Sequence, residues 1–423
     1  MNSTDIKNVD THENHFELDS VAQFYAAAIS DTCPGTFSIS ARLKENVNPE
    51  ILQKAVNDLT RRLPFVNGQL QGRFFRQYIE ILNSPPQIMP VKDIASFGRC
   101  HKKGRDSLLR VLYGAKHFTV ETTHIVCDGR SLTKITTALL ARYYELLGIT
   151  AGKNEIIDFA GKMQPEEIEN AFERHVADFN PKEVQNIFMR YSAAQKENKI
   201  KEAYHFGDSC PAVSRIVSKK CDAAKLKTAA KAHGATVSEF ILAHIFIMIA
   251  EERKRHGSTK PIAVMLPVDY RTFFPSETLT NFAMGKVIHM PETDEFSAML
   301  RQIKSQFEAI DANYVSDDIV GFTKILRLTK FIPLPIKKRL FKAMKRSASA
   351  GHTTTFSNLG LVKLPAEIEV HLEALEFAFC PDSEREPYVF SCVTVGNALV
   401  LTAAIATEGV DTADRLMEVL GKQ

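Results

Sequence analysis

Apolar residues recur along the chain in two periods, and the period switches from segment to segment. Thr36 to Leu43 alternates apolar and polar side chains, and Ala115 to Thr123 does so with β-branched residues, so each predicts a half-buried strand. Leu18 to Ile29 carries the helical spacing instead. Asn48-Pro49-Glu50 places proline in the first turn of a helix whose apolar positions Leu52, Ala55, Val56 and Leu59 run on to Arg62. Ser131 can cap a further helix, with Leu132, Ile135, Leu139, Tyr143 and Leu146 on one face and Gly148 as its stop. Between these lie a strand at Phe74 to Leu82, a Pro85-Pro86 break, and a helix and strand sharing Phe97 to Leu112.

The alternation then gives way to charged, helix-favouring segments and returns later in the chain. Gln164-Pro165-Glu166-Glu167 and Asn180-Pro181-Lys182-Glu183 each open a charged helical segment. A strand from Ala212 leads to a helix from Asp222 to His233, and Thr236 or Ser238 caps the apolar helix Phe240 to Glu251. Ile262 to Pro267 reads as a buried strand, Glu295 to Ile310 as a helix, and a basic helical region follows. Strands at Thr353 to Ser357, Leu375 to Cys380, Val389 to Val395 and Leu399 to Ile405 precede a closing helix, Thr412 to Leu420. No period of 20 to 50 residues recurs, which argues against a solenoid.

Interleaved strands and helices of this kind predict an α/β (α+β) fold, and 423 residues suffice for two or three domains. Gly207-Asp208-Ser209-Cys210-Pro211 breaks the pattern. We therefore expect a disordered polar tail over 1–15, an N-terminal lobe over 16–207 and a C-terminal lobe over 208–423.

Composition narrows the classes. With 53 basic and 50 acidic residues the charge is nearly balanced, so bulk charge points to no nucleic-acid partner. Cys33, Cys100, Cys127, Cys210, Cys221, Cys380 and Cys392 form no Cys-x-x-Cys pair and no metal-ligand spacing, which fits reduced cytoplasmic thiols and no metal site. Met1 to Ser20 lacks the apolar core of a secretory signal, and Phe240 to Ala250 is too short to span a bilayer.

Chemistry concentrates in His124-Ile125-Val126-Cys127-Asp128-Gly129, the turn between a predicted strand and a predicted helix. Such a turn holds its backbone by packing on both sides while aiming one imidazole into a cleft, and imidazole titrates near neutrality. The same six residues also suit a hydrogen-bonded histidine beside an ordinary Asp-Gly turn. Cys127, on that turn, and His244, on an apolar helix, read as core residues rather than reactive groups.

His124-x-x-x-Asp128-Gly129 resembles the signature of the acyltransferase superfamily typified by chloramphenicol acetyltransferase, which includes peptide-synthetase condensation domains, BAHD acyltransferases, alcohol acetyltransferases and wax ester synthases. Pro267-Val268-Asp269-Tyr270-Arg271, with Pro275 and Asn281-Phe282, is similar to the arginine-bearing stretch of BAHD and bacterial alcohol acetyltransferase relatives. Ser357-Asn358-Leu359-Gly360 resembles a late Ser-Asn turn, and Phe16 to Leu70 resembles condensation-domain N-termini. The pattern as a whole is nearest to bacterial alcohol acetyltransferase-like proteins.

The resemblance implies a pseudo-dimer of two lobes, each with a mixed sheet flanked by helices, and an active site at their interface. It implies His124 as general base, and Asp128 as a structural anchor paired bidentately with Arg271. Gly129 would serve the turn through its conformation or its closeness to a neighbour. Asn281 would hold the lobes together, and Ser357 and Asn358 would serve either the oxyanion or the loop's own architecture. The activity implied is transfer of an acyl group from a thioester to an alcohol or amine. No cofactor would be bound permanently; acyl-coenzyme A or acyl-phosphopantetheine would be the co-substrate. Rival readings are a stand-alone condensation-type protein using an acyl carrier protein, and a non-catalytic scaffold. Thr123 stands where many members carry a second histidine, a departure that weighs against the peptide-synthetase role more than against acyl transfer.

Ile319 to Ala366 contains no Asp or Glu while Lys and Arg crowd residues 324–346. Three readings compete: a solvated basic helix over the cleft, a dock for coenzyme A or carrier phosphates, and a membrane-surface helix.

Overall fold

The computed structural model describes residues 14–30, 34–91, 107–150, 152, 157–197, 200–206, 215–293, 295–382, 385–407 and 412–421. The first half runs β1 (His15–Glu17), α1 (Ser20–Ala28), β2 (Thr36–Leu43), α2 (Pro49–Arg62), β3 (Gly68–Gly72), β4 (Gln77–Ile81) and β5 (Met89–Pro90). It continues through β6 (Arg110–Tyr113), β7 (His117–Thr123), α3 (Gly129–Leu146), α4 (Ala171–Ala177) and α5 (Pro181–Glu197). Next come β8 (Arg215–Asp222), α6 (Ala223–Ala232), α7 (Val237–Arg255), β9 (Ala263–Asp269), β10 (Ala283–His289) and α8 (Phe296–Glu308). The chain closes with α9 (Ala312–Leu328), α10 (Leu334–Ser349), β11 (Thr354–Val362), α11 (Ala366–Glu369), β12 (Leu372–Phe379), β13 (Tyr388–Val395), β14 (Ala398–Ile405) and α12 (Thr412–Gly421).

The alternation in β2 has the expected consequence. Phe37, Ile39, Ala41 and Leu43 are buried in one core with Phe118 and Val120 of β7, while Ser38, Ser40 and Arg42 face the other way. On that core face lies α2, whose Leu52, Ala55, Val56 and Leu59 are fully buried, each leucine contributing about 1.5–3 kcal/mol. Its N-terminus is held by Asn48, whose Oδ1 accepts the N–H groups of Glu50 and Ile51.

Two mixed sheets dominate. The first has the order β12-β2-β7-β6-β5 and the second β10-β9-β11-β13-β14-β8; β1, β4 and β3 form a small third. β13 lies inside the second sheet with most of its residues buried on both faces, which is why it reads as a nearly continuous apolar run. β12, late in the chain, pairs with β2 of the first sheet, placing Phe379 opposite Phe37. A third apolar cluster gathers Val21 of α1, Phe172 of α4 and Phe341 of α10 with Tyr270 and Phe282, packing segments of the second half onto α1.

Several expectations need correction. Order begins before Phe16, since His15 already pairs with Glu80; residues 1–13 of the expected tail lie outside the described residues. So do the 207–214 break, most of the helix expected after Phe97, and Cys33, Cys100 and Cys210. The strand expected from Phe74 starts at Gln77, because Phe74 and Phe75 sit exposed at a hairpin tip following β3. Neither β3 nor β10 was legible: their glycines and mixed polarity blur the alternation. Among the described residues no single helix is long and apolar enough to cross a membrane.

Candidate active site

β7 ends at Thr123, whose carbonyl takes the N–H of Val126 at 2.8 Å and so turns the chain sharply after His124. The turn hands over to α3, and its N-cap is Asp128 rather than Ser131: Asp128 Oδ1 accepts the Ser131 N–H at 2.9 Å. A carboxylate one residue before the helix satisfies an orphan N–H that Ser131, already inside the first turn, cannot reach.

His124 is half-buried, and its ring lies between two aromatic side chains, Tyr25 of α1 at 4.6 Å and Phe37 of β2 at 4.5 Å between centroids. Its Nδ1 lies 3.3 Å from Asn281 Oδ1. Asn281 has no freedom to turn over. Its Nδ2 donates to Asp19 Oδ2 at 2.8 Å and to the His124 carbonyl at 3.0 Å, and its backbone N–H also reaches Asp19 Oδ2, at 3.1 Å. With both amide protons used, Asn281 turns an acceptor toward Nδ1, an arrangement that suits a ring proton on Nδ1 and a lone pair on Nε2. Burial, helped by the charge of Lys345, holds the imidazole below its usual 6.5 even though Asn281 and Asp128 pull the other way. The ring is therefore neutral at neutral pH.

Asp19 is buried at the N-cap of α1, where Oδ1 accepts the Ala22 N–H at 2.8 Å. Burial pushes its pKa up to about 6 against the pull of those three N–H donors.

Asp128 and Arg271 meet, with Arg271 Nη1 2.7 Å from Asp128 Oδ2. The pair is not the bidentate fork expected, because Oδ1 is committed to the α3 cap. Oδ2 also accepts the Phe282 N–H at 2.8 Å. Arg271 spreads its remaining donors over Asp269, Ser131 Oγ and the carbonyls of Thr278 and Thr280. Burial alone would raise the Asp128 pKa, but Arg271 and the N–H groups of Phe282 and Ser131 outweigh it and keep the carboxylate ionised. The guanidinium thus fastens the 278–282 loop, which carries Asn281, to the turn that carries His124.

Gly129 serves closeness rather than conformation: a β-carbon there would lie 2.9 Å from Leu359 Cδ2. Cys127 is fully buried and its thiol is pushed well up by burial. His244 gives Nδ1 to the Phe240 carbonyl at 2.8 Å within α7. Ser357 and Asn358 belong to a bulged strand, β11, rather than a simple turn. Asn358 Nδ2 donates to Ser238 Oγ at 2.8 Å and its Oδ1 accepts the Gly360 N–H at 2.7 Å, stabilising a left-handed glycine at φ +74°. Both polar atoms of that amide thus support the bulge. Ser357 is buried opposite Ser391 of β13.

Sequence reasoning missed Asp19, Tyr25 and Phe37. An aspartate just ahead of an apolar helical repeat marks an N-cap, but its second duty, orienting Asn281 across 262 positions, leaves no local trace. A cavity of about 270 Å³ runs along the opposite face of the first sheet, between Ser38, Thr119 and Glu121 and the Ser218 and Thr402 side of the second.

Residues 113–420 match the sequence profile of the alcohol acetyltransferase family. No curated protein sequence matches the chain. Among solved structures it is similar to polyketide synthase associated protein 5 from Mycobacterium tuberculosis, at 13% identity and a TM-score of 0.61, over 96% of this chain and 98% of that one. It is also similar to the first condensation domain of the calcium-dependent antibiotic synthetase in complex with a substrate analogue, at 11% identity and 0.63, over 96% and 95%. The epimerization domain from the third module of tyrocidine synthetase B gives 11% and 0.60, over 97% and 96%. At these identities the likeness shows the fold, a two-lobed condensation-domain architecture.

Proposed function

Since this chain belongs to the alcohol acetyltransferase family, within an acyltransferase and condensation-type fold, we propose that it moves an acyl group from acyl-coenzyme A to an alcohol or amine, with His124 as general base. The acceptor's O–H or N–H gives its proton to His124 Nε2 as the heteroatom attacks the thioester carbonyl carbon. The tetrahedral oxyanion then expels the thiolate, which leaves with the proton from the imidazolium. A thioester needs no further activation, so one aimed and neutral imidazole supplies the proton traffic.

The observation that carries this reading is the orientation of one ring: Nδ1 faces Asn281 Oδ1, an acceptor locked by Asp19, which leaves Nε2 as the basic atom. Asp128 and Arg271 act as positioning residues in it. For the oxyanion, the Ser357 hydroxyl is the better candidate, because the polar atoms of Asn358 already hold the bulge.

Thiol release from a panel of acyl-coenzyme A donors, with alcohols and then amines added, tests the proposal. Acceptor-dependent release is expected, and His124→Ala should lower kcat by at least about 10²-fold with an unchanged circular dichroism spectrum. Release at the wild-type rate by His124→Ala rules the mechanism out. Transfer seen only from acyl groups loaded on a carrier protein would move the donor to a phosphopantetheine arm.

A further inference from the structure

We infer that this protein docks on the surface of an anionic phospholipid bilayer through an apolar tip built from two loops. The first loop is the hairpin turn 73–76 between β3 and β4; the second joins α9 to α10. The hairpin meets the first turn of α10, directly after the second loop, through backbone and side chain: the Leu334 N–H donates to the Phe74 carbonyl at 2.9 Å, and Lys337 Nζ to the Phe75 carbonyl at 2.8 Å. This contact brings together the most exposed large apolar side chains of both segments, Phe331 at 77%, Phe74 at 68%, Leu328 at 67% and Ile336 at 56%. Single exposed hydrophobics are commonplace, but Phe74 at the hairpin, Leu328 at the end of α9, Phe331 in the following loop and Ile336 in the first turn of α10 gather where the hairpin bonds to α10 and form a patch.

The charge around the tip selects its partner. Lys330, Arg339, Lys342 and Arg346 are exposed on the same segment, which spans Ile319 to Ala366 without one acidic residue. On α10 the exposed Ile336 and Leu340 are one turn apart, while Phe341 on the opposite side is buried against Phe24 of α1. The helix therefore presents an apolar stripe beside a basic one. Phenylalanines carried on loop tips suit a fluid bilayer, which yields to a protrusion, and lysines and arginines beside them meet phosphate headgroups. The inner end of α10 carries Lys345, whose charge is felt at His124. About 16 Å of helix separates it from Leu334, so the docked tip and Lys345 stand on one element.

The full chain, sedimented with vesicles of phosphatidylcholine with and without phosphatidylserine, tests the inference. Binding is expected to the anionic vesicles only and to weaken as salt rises. Phe74→Ser with Phe331→Ser should lower it about tenfold, and Arg339→Gln with Lys342→Gln should flatten its salt dependence. The chain contains no tryptophan, so Phe331→Trp adds a single reporter whose emission should shift to the blue on anionic vesicles. The inference is overturned by absent sedimentation with either vesicle, by a double-serine variant that binds as the wild type does, or by unshifted emission. Binding of an acidic carrier protein that the serine variant abolishes, without vesicle binding, would assign the patch to a protein instead, and patch-dependent dimerisation would assign it to a second copy.

Discussion

A histidine is a base through one nitrogen only, and which nitrogen depends on what its other side meets. In the mechanism proposed for His124 that choice falls to the Asn281 amide, whose orientation Asp19 enforces. Asp19→Asn would remove one of the acceptors that fix Asn281. Free to turn over, Asn281 would present its N–H groups to Nδ1 and drive the proton to Nε2. We expect kcat to fall by about 10²-fold with little change in KM, and ¹⁵N shifts of the His124 ring to show the Nε2–H form, which a merely structural loss would not produce. Because burial holds the imidazole below 6.5, the acid limb of kcat/KM against pH should lie below 6.5, with a plateau through neutrality. A limb above 6.5 would place the titrating base elsewhere.

Elements acquire their angles from the same few contacts. Asp128 caps α3 with one oxygen and binds Arg271 and the Phe282 N–H with the other, so one side chain orients a helix and a loop together. Both partners are more than nine-tenths buried. Removing either leaves a charge in a site with little water, and Arg271→Ala should cost about 3–5 kcal/mol in urea unfolding. Asp128→Ala should cost a similar amount and the double variant much less than the sum, since each single change already abolishes the pair. Strictly additive losses would show that the two side chains act independently.

The whole molecule sums these contributions in its response to pH. Six described histidines, His117, His124, His175, His205, His244 and His289, are held below 6.5, chiefly by burial. They take up protons on unfolding, so stability is present above 6.5 and is lost as pH falls through their lowered values. His352 runs the other way. Burial disfavours its charge, but Glu386, 2.7 Å away, prevails and raises its pKa above 6.5. That contribution is complete below 6.5 and is lost as pH rises through the raised value. Stability against pH should therefore peak near neutrality, and His352→Gln should remove the alkaline decline while leaving the acid one, as denaturation at a series of pH values would show. An unaltered alkaline arm would mean that the buried His352–Glu386 pair does not govern it.

Local spacing was enough to determine much of this protein. Period two gave β2 and β7, period near 3.6 with Pro49 and Thr236 gave α2 and α7, and six consecutive residues located His124, Asp128 and Gly129 at a strand-to-helix turn, because those signals are written within a few residues of one another. Tertiary structure alone decided that β12 returns to the first sheet and that Asp128 gives Arg271 one oxygen rather than two. It alone decided, too, that Asp19 fixes the Asn281 amide that faces the His124 ring. Those are contacts between positions far apart in the chain, and a hydrogen bond's direction depends on which donors and acceptors the fold has already matched.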